Sequence, residues 1–386
     1  MANEVVNFRF TTLGPWATSA ALIALLALPG LPKICTAQDT NQSWSTTNQQ
    51  ESPSGAINPT RSRESHSEAN GRVVDKTSLE SMGPDGRYVP YSDSEKESRR
   101  INATTVRNTE RIYGRDADGR RILIQEKQEE SRTLPGGEQK VTRTISNPAS
   151  KGGLQVVQRE VEDSKQLNPA VRVTSTTVLT PNSDGNFSPV VQSERRETTT
   201  TNGTVQFKKS TQLSDGNGGW TLSEVRQGTT KQDGQVVSKD EQVLRPDASG
   251  NLAVVERTVN KQVQSSTGEK RDTTETYSTN VPGEAGNGNL QLVQRQTTLH
   301  RTNASGAQST VRQTEQPRPG DFSSGLQVTQ EAIDIVRPGT NGTTAETRTV
   351  LAPDADGRLG QVWVDIGNSN KPPAIQVDTS SSPKKK

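Results

Sequence analysis

The feature that most constrains this chain is a pattern repeated between Tyr88 and Leu359. Each copy has a turn rich in Gly, Asp or Asn, then a bulky residue, one spacer, and a second residue that is usually apolar. The bulky position falls at Tyr88, Arg121, Leu154, Phe187 and Trp220 at intervals of 33, and then at Leu252, Leu290, Leu326 and Leu359 at intervals of 32, 38, 36 and 33. Self-similarity at this spacing is typical of repeat architectures, in which one supersecondary unit recurs.

A second turn divides most units into two similar halves. Asn202-Gly203 and Asp233-Gly234 are strong hairpin turns, because both central residues can adopt positive φ. Asn168-Pro169 stands at the equivalent place in the third unit. The glycines that lie 16 residues beyond the bulky residue of their units are Gly137, Gly203, Gly268, Gly306 and Gly342, and Gly234 lies 14 beyond.

The segments between the turns have the pattern of β-strands. Leu154, Val156 and Val161 alternate with Gln, Arg and Glu, as a half-buried strand should. In four units a proline that cannot donate to the ladder follows the second half: Pro148, Pro181, Pro246 and Pro353. The sequence therefore predicts an all-β fold of tandem antiparallel β-hairpins, about 33 residues each, forming an elongated meander sheet or a solenoid-like array. We expect its unpaired edges to be blunted by charge and proline.

Apolar residues change parity within a strand, and two explanations compete. Leu252 and Val254 occupy one parity, whereas Val255, Val259 and Val263 occupy the other. A β-bulge after the first apolar pair would keep both sets on one face. An unbulged strand would instead bury opposite faces at its two ends. The sequence does not decide between them.

Composition limits the core and the partners. Only 27% of the chain is hydrophobic and 3% aromatic, against an apolar share of roughly 45–50% in ordinary domains. A large globular core is therefore not expected, and each unit must depend on backbone ladders and on its neighbours. The 46 Lys and Arg nearly cancel the 44 Asp and Glu, so no summed field attracts polyanions, and we predict no nucleic-acid partner.

The amino terminus has the features of a secretory signal. Residues from Trp16 to Leu31 form the longest apolar run, which Pro29 interrupts and which is shorter than the about 20 residues of a spanning helix. The run leads to Cys35-Thr36-Ala37, with small residues before a cleavage site. We predict a signal peptide at 1–37, whose removal also removes the only cysteine; an uncleaved anchor is the alternative.

Composition divides the rest of the chain into three parts. Residues 38–70 are rich in Ser, Thr, Asn and Gln, which predicts a low-complexity disordered lead. Residues 71–367 hold the repeat array. Residues 368–386 form a flexible basic tail that ends in three lysines, either as a solvated end or in weak contact with an anionic envelope polymer.

No constellation for catalysis or cofactor binding stands out. His300 is the only histidine inside the array and lies beside Arg301 in a polar context, and His66 lies in the lead. A nucleophilic triad would need a histidine near an acid and a nucleophile. We predict no catalytic, cofactor-binding or metal-binding residues, no cofactor, and no enzymatic activity.

Two Asp-Ala-Asp-Gly turns resemble the opening of a calcium loop, at Asp116 and Asp354. Position 12 of such a loop should be Glu, but it is Lys127 after Asp116 and Asp365 after Asp354. A plain hairpin turn explains both, and the calcium question stays open at this stage. Asn-x-Ser/Thr triplets at Asn102, Asn202 and Asn341 are interpreted as turns rather than glycosylation sites.

Two resemblances accompany these motifs. The run Gly288-Asn-Leu-Gln-Leu-Val-Gln-Arg295, with echoes at Gly250–Arg257 and Gly325–Gln330, resembles uncharacterised exported bacterial β-repeat proteins over most of residues 86–367. The resemblance implies a β-unit of this type and no known activity. Asp-Ala-Asp-Gly-Arg is also similar to the turn of YD-type repeats, whose Tyr-Asp element this chain lacks.

The sequence thus predicts an exported non-enzymatic structural or surface protein, acting as spacer, fibre or matrix component. The alternative is an adhesin-like module that binds glycan or another envelope component through a polar sheet face. Self-association or an envelope polymer is the expected partner, with no transmembrane span in the mature chain. The expected location is secreted, periplasmic or at the cell surface.

Overall fold

A computed structural model of the chain describes residues 40–51, 57–280, 288–318, 321–339, 343–354 and 356–369. These residues form β-strands joined by turns, which confirms the predicted all-β class. None of them belongs to a helix long and apolar enough to cross a membrane. The predicted signal peptide, Gly342 and the tail from residue 370 lie outside the described residues.

The strands, in chain order, are β1 Thr40–Glu51, β2 Ile57–Ala69, β3 Arg72–Met82, β4 Tyr88–Asn102, β5 Thr105–Arg115, β6 Arg121–Thr133, β7 Gln139–Pro148, β8 Leu154–Asn168, β9 Val171–Pro181, β10 Phe187–Thr199, β11 Val205–Ser214, β12 Trp220–Asp233, β13 Val236–Pro246, β14 Leu252–Gln264, β15 Lys270–Ser278, β16 Gln291–Thr302, β17 Gln308–Arg318, β18 Asp321–Pro338, β19 Thr344–Pro353 and β20 Leu359–Ser369.

The strands form a single antiparallel meander that closes on itself. Each strand pairs with the next along the chain, as predicted. β1 also pairs with β20, from Thr46 opposite Ser369 to Glu51 opposite Val364. The sheet is therefore a 20-stranded ring. The predicted meander sheet is confirmed, but the expectation of two unpaired edges blunted by charge and proline is wrong, because β1 and β20, which would have been those edges, pair with each other.

The unit boundaries agree with the repeat. The aligned bulky residue is the first residue of its strand at Tyr88, Arg121, Leu154, Phe187, Trp220, Leu252 and Leu359. The hairpin glycines Gly203 and Gly234 adopt φ of 78° and 57°. A side chain with a Cβ would be strained in that region, which explains why glycine recurs at this place in the turns.

Five of the turns that precede a unit share one geometry, shown by Asp116, and the turn between β16 and β17 has it as well. Its Oδ1 accepts the backbone N–H of Asp118 at 3.0 Å and that of Arg120 at 2.8 Å, and the N–H of Gly119 donates to the Asp116 carbonyl at 2.9 Å. The same side-chain pattern recurs at Asn182, Asp215, Asp247, Asn303 and Asp354. These side chains fold the chain back by capping its free amides.

A β-bulge in every unit resolves the change of parity. In β14, Val254 pairs with Leu244 and Glu256 pairs with Val243, so Val255 is the extra residue. Leu252, Val254 and Val259 consequently share one face. The extra residues in the other units are Tyr91, Ile124, Val157, Val190, Ser223, Val293, Thr329 and Val362.

The structure corrects the predicted disorder of residues 38–70. Within the described residues, 40–51 and 57–69 form β1 and β2, and each lies between two neighbours in the ring. The prediction considered only the burial of apolar side chains, of which this segment has few. The segment is ordered instead through backbone hydrogen bonds on both sides of each strand.

The ring is a wall one sheet thick. Within the described residues, strands make substantial contacts only with their neighbours in the ring. The buried apolar side chains there are few, namely Val74, Val171, Val225, Val243 and Val350. No second layer of described residues packs against either face. As composition predicted, the fold depends on backbone ladders and cross-strand pairs rather than on a large core.

Candidate functional site

The register defines two faces of the wall, because residues paired across antiparallel strands project to the same side. Face one carries Arg61, Asp93, Arg111, Arg196 and Asp240, together with the residues paired to them around the ring. Face two carries the residues between these, including Glu110, Arg143, Glu160, Phe207 and Arg348. The assignment stays consistent through the closing pair of strands.

Three hollows open mainly on face one. One of about 720 Å³ lies between β1 and β4, with Arg61, Arg63 and Glu95 in its lining. One of about 640 Å³ lies beside the β6–β7 turn and includes Arg107 and Glu130. The third, of about 440 Å³, lies between β10 and β13. Side chains converge on the concave side of a curved sheet, and from the position of these hollows we infer that face one is the inner wall of the ring.

Ion pairs run along face one. Glu80, which is buried, accepts from Arg61 and lies 3.1 Å from Arg63. Asp93 is held by Arg115 at 2.6 Å, and Arg121 approaches it at 3.4 Å. Further pairs of the same kind join Arg107 to Glu130, Arg111 to Glu126, Arg257 to Asp240 and Arg295 to Glu275. Face one therefore carries ion pairs together with apolar residues of the repeat, such as Leu252, Val254 and Val259, which the register places on the same side as Asp240.

Face two also carries ion pairs along the middle of its strands. The guanidinium of Arg143 contacts Glu129 at 2.8 Å, Glu162 at 3.0 Å and Glu160. On neighbouring strands β18 and β19, far along the sheet from Arg143, Arg348 pairs with Asp334 directly opposite it. Each of these two cations therefore has at least one acid partner on its own face.

Apolar residues of face two gather at the end of the strands that carries the bulges. Val89, Ile122 and Leu213 are exposed there, with 52%, 44% and 46% of their surface open to solvent. We name this the bulge-end belt: Leu79, Val89, Ile112, Ile122, Ile145, Val178, Val191, Leu213, Val243, Val350 and Trp363. The belt runs from β3 to β7 and from β9 to β11, with single residues on β13, β19 and β20. β8 and β12 contribute none, because Gln158 lies opposite Ile145 and Arg226 lies opposite Val243.

The structure places the residues singled out in the sequence in structural roles. One carboxylate oxygen of Asp116, and one of Asp354, accepts backbone N–H groups of its own turn. Among the described residues, no group of three or more His, Cys, Asp or Glu is placed to hold a metal. His300 hydrogen-bonds Thr310 at 2.9 Å, and His66 contacts Asp75 at 2.7 Å. The described residues bring neither histidine into a nucleophile-base arrangement.

The glycosylation triplets at Asn102 and Asn202 lie in turns, as interpreted. Asn102 accepts the backbone N–H of Thr104 at 2.9 Å, and Asn202 accepts that of Thr204 at 3.2 Å. Asn341 lies outside the described residues.

Sequence reasoning missed the closure of the sheet. It also missed Arg196 and Lys208, which lie directly opposite each other on face one without an acid among the described residues bound to either. A signal for the pair was present. The turn at Asn202-Gly203 fixes the register of β10 and β11, and counting outward from Thr199 opposite Val205 places Arg196 against Lys208. The closure had no comparable local signal.

No protein-family model matches this chain, and no curated protein matches it in sequence. In structure the chain is similar to the siderophore receptor PirA from Pseudomonas aeruginosa, with a TM-score of 0.50 and 10% identity, over 86% of this chain and 80% of that one. It is also similar to the outer membrane protein opdK from Pseudomonas aeruginosa, with a TM-score of 0.41 and 9% identity, over 86% of this chain and 98% of that one. A mutant porin of Rh. blastica gives a TM-score of 0.38 and 5% identity, over 62% and 95%. At these identities the likeness to PirA concerns the fold alone.

These findings correct the predicted function. A secreted spacer, fibre or matrix component was expected from an open array, and so was an adhesin-like module with an extended polar face. Both predictions are wrong, because the first and last strands of the sheet pair with each other and the chain shares its fold with the siderophore receptor PirA. The prediction of no transmembrane span considered only helices. The fold shared with PirA overturns it, because closed barrels are the second kind of structure that can span a bilayer.

Proposed function

We propose that this chain forms a water-filled channel in the outer envelope of a bacterium. The observation that carries the proposal is the closed ring of strands, one layer thick, with ion pairs along face one. A porin-like channel needs closure, which satisfies every backbone group within the wall, and charged groups inside the ring that keep water and solutes there. The fold shared with a siderophore receptor supports the same class of protein.

The number of strands sets the diameter of the ring. Twenty strands spaced about 4.8 Å apart and tilted by about 40° give a ring about 40 Å across between backbones if it is round. Barrels of 16 to 18 strands leave an aqueous channel, and those of 22 strands enclose a plugged lumen. Side chains of face one narrow the opening but do not meet across it, since strands on opposite sides make no substantial contact among the described residues.

The bulge-end belt is where the wall meets lipid in this proposal. Unpaired Lys or Arg on a lipid-facing strand costs about 2–4 kcal/mol at the bilayer midplane and much less near the interfaces. The charged middle of face two, with Arg143 and Arg348, therefore stays at the aqueous side of the interface. The apolar belt enters the hydrocarbon.

The location and chemistry follow from this assignment. An envelope position agrees with the predicted leader at 1–37 and with the predicted periplasmic or cell-surface location, but not with free secretion. The proposal requires no catalytic group, so the expectation that the protein is not an enzyme is part of it.

Conductance tests the channel. The purified full chain is added to planar lipid bilayers, and we expect stepwise increases in current that persist in symmetric salt. The control is the double variant Thr47→Pro and Asn48→Pro. Adjacent prolines remove one donor from each side of β1, so the seam with β20 weakens and the steps disappear. Full-length protein that binds the bilayer and passes no current would contradict the proposal.

The belt is tested by a matched pair of variants on adjacent residues. Ile122→Lys places a charge on face two, whereas Leu123→Lys places the same charge on face one at the same height. We expect co-flotation with phospholipid vesicles to fall for Ile122→Lys and to be retained for Leu123→Lys. Equal losses in both variants would show that the belt does not contact lipid.

A further inference from the structure

The strongest unassigned feature of the inner wall is the opposed pair Arg196 and Lys208. Residues directly opposite in an antiparallel pair have Cβ atoms about 4.5–5.5 Å apart, and like charges there are destabilising. Neither side chain makes an ion pair, hydrogen bond or ring contact with another described residue, and both are exposed. Elsewhere on face one, arginines such as Arg111 and Arg257 have an acid as partner.

The two acids near this pair do not neutralise it. Asp240 lines the same hollow, but its carboxylate accepts two bonds from Arg257, at 2.9 and 2.6 Å. Glu194 lies on the same face two residues before Arg196, opposite Ser210, and forms no ion pair with it. The local field between β10 and β11 is therefore positive.

The hollow beside the pair is lined with neutral hydrogen-bonding groups. It has a volume of about 440 Å³, and Thr198, Gln206, Gln227, Thr229 and Gln242 contribute to its lining. Gln227 donates to Gln242 at 3.3 Å, which fixes the orientation of one amide beside the cations. Amides and hydroxyls can donate to an anion without adding charge.

On face two, behind Arg196 and Lys208, the side chain of Phe207 packs closely over Gly228. A Cβ on Gly228 would lie 2.3 Å from the carbonyl oxygen of Asp240 and 2.8 Å from Cε1 of Phe207, so the phenyl ring covers the glycine closely. The guanidinium of Arg195 lies 4.4 Å from the centroid of that ring. Phe207 thus joins β10, β11 and β12 on face two, which holds Arg196 and Lys208 side by side on face one.

We propose that Arg196 and Lys208 form a binding site for a small oxyanion, carried on phosphate or carboxylate, in the wall of the lumen. The position in a lumen rests on the proposed channel, but the binding itself does not. The planar fork of Arg196 takes two oxygens, Lys208 adds a third charge-assisted bond, and the ligand relieves the repulsion between the two cations.

Binding is measured by isothermal titration calorimetry of the full chain with inorganic phosphate and, separately, with acetate. The variants are Arg196→Gln and Lys208→Gln, and the matched control is Lys209→Gln, which removes the adjacent charge from face two. We expect either lining variant to weaken binding by about tenfold, the size of one lost charge-assisted bond, and the control to leave it unchanged. Glu194→Gln should tighten binding, because it removes a negative charge beside the site.

The two titrations separate phosphate from carboxylate as the ligand group. Equal binding by native chain and both lining variants, or equal loss in Lys209→Gln, would overturn the site. Circular dichroism confirms that each variant is folded. In phosphate-free buffer we expect Lys208→Gln to melt no lower than the native chain, and phosphate to raise only the native Tm. Bilayers that stay closed while binding still follows Arg196 and Lys208 would reject the channel and keep the site.

Discussion

Arg143 on face two and the Arg196–Lys208 pair on face one show two opposite ways of placing cations in a wall without a core. Arg143 is one cation among three acids, Glu129, Glu160 and Glu162, and is about one-third exposed. Arg196 and Lys208 are two cations with no acid bound to either. The first cluster is complete within the chain and joins β6, β7 and β8. The second remains electrostatically incomplete and is therefore open to a solute.

The largest effect is expected beneath the incomplete pair. Gly228→Ala would place a Cβ within 2.3 Å of the Asp240 carbonyl, so β12 and β13 must separate. Overpacking of this kind should lower the free energy of unfolding by about 2–3 kcal/mol, measured by urea titration. Because the closest atom belongs to backbone, Phe207→Ala in the same chain should not restore stability. Full rescue by that second change would show that the ring, not the strand, is the obstacle.

Breaking the complete cluster should have the next largest effect. Arg143→Met leaves three carboxylates close together on face two, and we expect a loss of about 1–2 kcal/mol in the free energy of unfolding because the cluster is partly solvated. The control carries Glu160→Gln and Glu162→Gln in addition, and should recover most of the loss. If the control is as unstable as the single variant, packing of the long Arg143 side chain matters more than charge.

An acid introduced beside Arg196 and Lys208 should make this region resemble the Arg143 cluster, in which the cation has acid partners. Gln227 lies directly opposite Lys208, so Gln227→Glu supplies a cross-strand partner. We expect about 0.5 kcal/mol of added stability and loss of the phosphate-dependent rise in Tm. The control Thr230→Glu places an acid opposite Lys239 on face two, where it should leave the phosphate effect intact. A phosphate effect that survives Gln227→Glu would show that the two cations do not form the site.

Salt should produce the smallest change, and its sign should differ between the regions. At about 1 M ionic strength the Debye length falls to about 3 Å. Attraction around Arg143 and repulsion between Arg196 and Lys208 both weaken. The stability difference between native chain and Arg143→Met should shrink, while any stabilisation by Lys208→Gln should vanish. Melting curves at low and high sodium chloride measure how far Arg143→Met and Lys208→Gln each differ in stability from the native chain. Equal shifts of Tm in all variants would instead show a general effect of salt.

Much of the local structure could be predicted because it depends on neighbours in sequence. The turn glycines such as Gly203 and Gly234 fixed the hairpins, and the aligned residues Tyr88 and Leu252 begin their strands. The bulge could be framed as one of two alternatives from the parity of Leu252, Val254 and Val259. Only the register, with Val255 unpaired, decides between them.

The closure could not be predicted for a physical reason. It depends on pairing between Thr46 and Ser369, more than three hundred residues apart, and backbone hydrogen bonds leave no side-chain pattern by which to recognise it. The Ser- and Thr-rich composition of β1 and β2 predicted disorder. The missed pair of Arg196 and Lys208 is different, since the nearby turn sets its register and a strand-by-strand count would have found it.

The bulge has a consequence for how such a wall can change size. Because every unit carries its own extra residue, adding or deleting one whole unit keeps the side chains of face one and face two on their own sides of the wall. Losing a single residue from the regular part of a strand would instead turn the rest of that strand inside out. Gene duplication of complete modules would then widen the opening by two strands at a time, and small deletions would be tolerated only at the bulges.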